Sequence, residues 1–132
     1  LSDKTSVLRI LIIEDSGIFR NIVSELLADH NVVGAKNFEE GYKKYIEFAP
    51  ELVFLDISLP DGNGHDLLVK IKEHDKNAYV VITTASRLKE DILQSIKGGA
   101  QGYIVKPFSS ETLHECIKTY LTYTENNKSS AN

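Results

Sequence analysis

The chain has 132 residues, 42% apolar and 26% charged, an ordinary balance for one globular domain with its own core. With 19 acidic against 15 basic residues the net charge is -4, which argues against nucleic acid as a partner of this domain; no stretch suits a membrane span or a secretory signal. The single cysteine, Cys116, excludes an internal disulfide and suits a reducing cytoplasm; in its amphipathic segment it reads as an inert, packed thiol. Methionine is absent and residue 1 is Leu, so the chain is expected to be trimmed or to be a piece of something longer.

Residues 1–6 are polar and read as a disordered edge. Residues 7–13 form a nearly continuous apolar run, a strand buried on both faces, which ends in Glu14 and Asp15. Ser16 can cap a helix in which Ile18, Ile22 and Leu26, and also Phe19 and Val23, recur at helical spacing. A short strand follows over residues 31–36. Asn37 with Glu40 then has the form of a helix start, and Phe38, Tyr42, Tyr45 and Ile46 give that helix an apolar side up to Pro50. Leu52–Leu55 is a third strand, too short for a helix, and it delivers Asp56 to its carboxyl end before Pro60, Gly62 and Gly64 forbid regular structure.

A helix over 64–74 carries Leu67, Leu68 and Ile71, and a strand over 79–83 closes in Thr84, Ala85 and Ser86. Leu88, Ile92 and Ile96 mark another helix, stopped by Gly98 and Gly99. Gly102–Val105 is the last strand, followed by Lys106 and Pro107. Ser109 opens a final helix with Leu113, Ile117 and Leu121, and residues 124–132 read as a polar tail or linker. Five strands alternating with five helices predict an α/β fold, a doubly wound, flavodoxin-like parallel sheet of order 2-1-3-4-5. Strands 1 and 3 are then neighbours whose connections run in opposite directions, the crevice where such folds bind ligands.

Glu14, Asp15 and Asp56 are the residues this topology places in that crevice, with the hydroxyl of Thr84 and the amine of Lys106 on the same rim. Three carboxylates repel one another unless a cation neutralises them, and Mg²⁺, a hard ion that takes carboxylate and water oxygens, is the economical solution. The set suits phosphoryl transfer onto Asp56 as nucleophile, with Lys106 and Thr84 on the remaining phosphoryl oxygens. A competing reading is a small phosphate-ester hydrolase with an Asp nucleophile. Such enzymes usually place a second acid two residues on, where this chain has Ser58, and no loop is long enough to enclose a substrate.

Four motifs in order, Ile-Ile-Glu14-Asp15-Ser, Leu-Asp56-Ile-Ser-Leu-Pro-Asp-Gly-Asn-Gly, Ile-Thr-Thr84-Ala and Gly-Tyr103-Ile-Val-Lys106-Pro107-Phe, resemble the receiver domain of two-component response regulators over residues 7–123. The resemblance implies a signalling switch rather than an enzyme in the usual sense, phosphorylated on Asp56 by a histidine kinase or phosphotransfer protein. It implies direct Mg²⁺ ligands from Asp15, Asp56 and the main-chain carbonyl of Ser58, with Glu14 reaching the metal through water. Thr84, Ala85 and Lys106 would contact the phosphoryl group, Thr84 and Tyr103 would be the switch pair, and the Lys106–Pro107 bond would be cis. Ser58 and Ser86 fall where the family tunes phosphoryl lifetime. Residues 87–123 would present the surface for a homodimer or an effector, and the domain could stand alone or be cut from a hybrid kinase or a larger regulator. His65, near the site loop, has no evident partner in the sequence, and Asp61 and Asp66 read as a turn residue and an early helix acid.

Overall fold

A computed structural model describes residues 7–130 of the chain. Five parallel strands, β1 (Arg9–Ile13), β2 (Asn31–Ala35), β3 (Leu52–Leu55), β6 (Val80–Thr84) and β7 (Gly102–Val105), lie in the order β2-β1-β3-β6-β7. This is the expected 2-1-3-4-5 sheet. A two-residue pair, β4 (Ser58–Leu59) with β5 (Gly62–Asn63), forms a small antiparallel hairpin inside the loop after β3. Five helices connect and close the fold: α1 (Gly17–Leu26), α2 (Phe38–Phe48), α3 (Gly64–His74), α4 (Lys89–Lys97) and α5 (Ser110–Ser130).

Alternation along the strands sends side chains to two cores. Leu11, Ile13, Val53, Leu55 and Ile82 pack with Leu67, Leu68 and Ile71 of α3 and Tyr45 of α2. Ile10, Ile12, Leu52, Phe54 and Val81 pack on the opposite face with Val23 of α1 and Leu113, Ile117 and Tyr120 of α5. Most of these side chains are wholly buried, each worth roughly 1.5–3 kcal/mol relative to exposure, so the sheet is a rigid platform for what its rim carries.

The caps agree with the local chemistry. Ser16 accepts from the Phe19 N–H, and Asn37 accepts from the Glu40 N–H while Glu40 reaches back to the Lys36 N–H. Asp61, which reads in sequence as a turn residue, also accepts from the Phe38 and Glu39 N–H groups, tying the loop after β3 to the start of α2. The final helix continues to Ser130, past Thr124, where the sequence suggests a polar tail. No Gly or Pro follows Pro107, so nothing local interrupts the helix. The expected edge at 1–6 lies outside the described residues.

Candidate functional site

β1 and β3 are adjacent, and the chain leaves them in opposite directions, toward β2 and toward β6. Main-chain pairing continues one step past each strand: the Glu14 N–H donates to Ala35 O and the Asp56 N–H to Ile13 O. The two acids are thereby fixed side by side at the carboxyl rim. Both are buried, Glu14 at 3% and Asp56 at 5% exposure. Lys106, one residue past β7, bridges them: its Nζ donates to Glu14 Oε1 at 2.5 Å and to Asp56 Oδ2 at 2.9 Å, and lies 4.4 Å from the Phe19 ring centre. The remaining oxygens are also engaged, Glu14 Oε2 by the Ser16 N–H and Asp56 Oδ1 by the Ser58 N–H.

The electrostatics follow from that crowding. Burial pushes the Glu14 carboxyl above its ordinary range; the charge of Asp56 adds to the rise, while Lys106 and the Ser16 N–H pull against it. Burial alone would lower the Lys106 amine, but its hydrogen bonds to Glu14 and Asp56 outweigh it and hold the amine above its usual range. In formal charge, Glu14, Asp56 and Lys106 sum to one negative unit, before Asp15 is counted.

Asp15 stands apart from this cluster. Its carboxylate is exposed, and its main-chain carbonyl, like that of Glu14, accepts from the Arg20 guanidinium, which braces the loop before α1. Among the described residues, no three His, Cys, Asp or Glu side chains gather as a ready-made metal centre. The donors nonetheless fit Mg²⁺, which uses one or two carboxylates and keeps several waters: buried carboxylate oxygens with a deficit of positive charge, and an exposed, uncommitted Asp15 at the next residue of the chain.

Thr84, at the end of β6, is 1% exposed, and Ala85 after it is exposed. Main-chain pairing of the Lys106 N–H with Thr84 O brings β6 and β7 to the same rim. The Tyr103 hydroxyl donates to Ser86 O at 3.0 Å, so the ring is half-buried against the loop after β6, and burial raises its pKa. Lys106–Pro107 is a cis peptide bond. Ser58 is exposed at the first position of β4. Gly64 closes the Asp56 loop: its N–H donates to Ile57 O, and a Cβ there would lie 2.3 Å from Ile57 Cα. Only glycine permits that approach.

One contact escapes sequence reading. His65 is 3% exposed and meets Asp91 of α4 through Nε2 at 3.2 Å. The partners are far apart in sequence, and only the neighbouring positions of α3 and α4 reveal them.

A profile of the response regulator receiver domain matches residues 10–118. The chemotaxis protein CheY of Halobacterium salinarum is 33% identical over 116 residues, covering 86% of this chain and 97% of that protein. The nitrate/nitrite response regulator NarL of Escherichia coli is 34% identical over 112 residues, covering 82% of this chain but 52% of that protein. Among solved structures, a CheY-like receiver domain protein from Methanospirillum hungatei superimposes with a TM-score of 0.88 at 30% identity, covering 92% of this chain and 99% of that one. The chain belongs to the response regulator receiver domain family of two-component systems, whose members are signalling modules that generally bind Mg²⁺ and work with histidine kinases or phosphotransfer proteins. The relatives include both single-domain proteins and longer regulators.

Proposed function

We propose that the chain is the phosphoryl-accepting switch of a two-component relay, with Asp56 as acceptor. The observation that carries this is the Asp56–Lys106–Glu14 triad at the switch point of the sheet, its two acids buried and its lysine partly so. An Asp56 carboxylate oxygen attacks phosphorus, the P–N bond of a donor phosphohistidine breaks, and the imidazole nitrogen leaves with the electron pair. Lys106 already contacts the acceptor carboxylate and is placed to follow the negative charge onto the phosphoryl oxygens. The Thr84 hydroxyl and the main chain at Ala85 offer donors on the other side. Asp15, Asp56 and the carbonyl of Ser58, with Glu14 through water, would hold Mg²⁺. Bound there, the ion supplies positive charge shared by nucleophile and phosphoryl group.

Thr84 and Tyr103 form the switch pair of this reading. Residues 7–123 are its working unit, the later part of α5 leads away from it, and residues 87–123 offer the surface that a homodimer or effector reads. A histidine kinase donor places it in the cytoplasm. The same unit would serve within a longer regulator or hybrid kinase, as the partial coverage of NarL illustrates for that protein.

Intact-mass measurement after incubation with acetyl phosphate tests the assignment. Wild type gains one phosphoryl group with Mg²⁺ and none with a chelator, and Asp56→Asn gains none under either condition. Equal labelling of both proteins sinks it.

A further inference from the structure

Asp15 is the acid that no contact of its own carboxylate holds. It is exposed, and among the described residues it makes one hydrogen bond, through its main-chain carbonyl, which accepts from Arg20 Nη1 at 3.0 Å. The same nitrogen donates to the Glu14 carbonyl at 2.6 Å. One guanidinium nitrogen thus spans two consecutive carbonyls of the acid loop. Glu14 has further restraints: its N–H donates to Ala35 O, and its Oε2 accepts from the Ser16 N–H. The aim of the Asp15 side chain is set by its backbone, and Arg20 is what holds that backbone.

Arg20 lies on α1, half-buried, and its stem rests against β2. The place of contact is Gly34, where a Cβ would stand 3.1 Å from Arg20 Cδ and 3.4 Å from its Nε. Gly34 pairs with Ile12 within an ordinary parallel ladder and has no positive φ, so its backbone does not ask for glycine. Glycine inside a strand costs stability, because it has the most conformational freedom to lose and no side chain to pack. What it supplies at position 34 is room for the arginine.

We infer that Arg20, seated against Gly34, is a positioning residue for Mg²⁺: by clamping both carbonyls it holds Asp15 ready, so that the ion does not have to order the loop itself. The inference rests on the phosphoryl-switch reading given above, in which Asp15 is a direct ligand. A ligand held in place before binding spares the ion the cost of fixing it. The guanidinium charge acts in the opposite sense, since a nearby cation repels Mg²⁺, and solvent and salt screen that repulsion at a half-buried position. Loss of the clamp and loss of the charge therefore have opposite signs.

The test uses two variants. Arg20→Met keeps the stem and removes both donors and charge, whereas Gly34→Val displaces the stem and leaves the arginine in the chain. In the metal-free full chain, both should speed amide exchange at Ser16, whose N–H bond to Glu14 Oε2 closes the loop. In Mg²⁺ titrations followed by NMR, both should bind roughly fivefold more weakly than wild type, the scale of fixing one residue's backbone. Combining them should add nothing further, since each breaks the same contact. Should Arg20→Met fail to fold, Gly34→Val carries both readouts. Tighter Mg²⁺ binding by Arg20→Met reduces Arg20 to a charge and overturns the inference. So does a lowered urea midpoint with wild-type Mg²⁺ affinity, which makes the arginine merely structural, and so do wild-type exchange and affinity in Gly34→Val. A wild-type protein whose Asp15 resonances ignore Mg²⁺ overturns the metal reading instead, while metal-free exchange still judges the clamp.

Discussion

Glu14 and Asp15 are adjacent in sequence and opposite in circumstance. Glu14 is buried with both oxygens committed, to Lys106 and to the Ser16 N–H, whereas the Asp15 carboxylate is exposed and uncommitted. Asp15→Asn is therefore expected to weaken Mg²⁺ more than Glu14→Gln if, as proposed, Asp15 is a direct ligand and Glu14 acts through an intervening water. Titrations of the two variants followed by NMR at one fixed pH decide the order; the reverse ranking means the roles of the two acids are exchanged. Acid should weaken Mg²⁺ in wild type, because its ligands must be ionised. Burial raises Glu14 above 4.5, so proton competition at this residue begins at a higher pH than for an ordinary glutamate.

At the scale of elements, the start of β1 depends on a histidine. His30 Nδ1 accepts from the Leu8 N–H at 3.1 Å, which leaves that nitrogen no room for a proton. Burial holds His30 below its usual 6.5, with Asp29 and Glu51 opposing and His114 reinforcing the shift. The unfolded chain thus takes up a proton that the folded protein resists, and stability is lost as the pH falls through 6.5 toward the folded-state value. Urea midpoints between about pH 7 and 5 should fall less for His30→Asn than for wild type. An identical slope in the two proteins removes His30 from the acid response.

The same scale shows what the sequence makes legible. β1, β3 and β6 stand out because strands covered on both faces are unbroken apolar runs, and the acids at their ends identify the rim. Helix faces are harder. α1 carries two apolar stripes, and the regular one, Ile18 and Ile22, is exposed by 76% and 49%, while Val23 on the other is buried at 2%. Of Leu88, Ile92 and Ile96, read as the periodic positions of the fourth helix, Leu88 and Ile96 are likewise exposed and Ile92 is half-buried, because periodicity detects a stripe without saying which side the sheet occupies. The β4–β5 pair is too short to leave a pattern. The pairing of His65 with Asp91 lies between helices, where no local spacing rule reaches.

For the molecule as a whole, Asp56 lies at the carboxyl rim of the sheet, while Leu88, just before α4, and Leu93 and Ile96 within it are exposed apolar side chains. A phosphoryl group on Asp56 is expected to draw the Thr84 hydroxyl toward it and let the Tyr103 ring turn inward, changing the surface of α4, β7 and α5. Thr84→Val should still accept the phosphoryl group, while shifts at Tyr103 and residues 87–97 on beryllofluoride addition shrink relative to wild type. A full wild-type pattern in that variant assigns the coupling to another route.

The switch reading depends on which carboxylate carries the phosphoryl group. Borohydride reduction of the phosphorylated protein converts an acyl phosphate on aspartate to homoserine, and peptide mapping then reads its position. Homoserine at position 56 alone is the expected result, absent when Mg²⁺ is chelated; homoserine at Asp15, Asp61 or Asp66 with an unmodified Asp56 contradicts it.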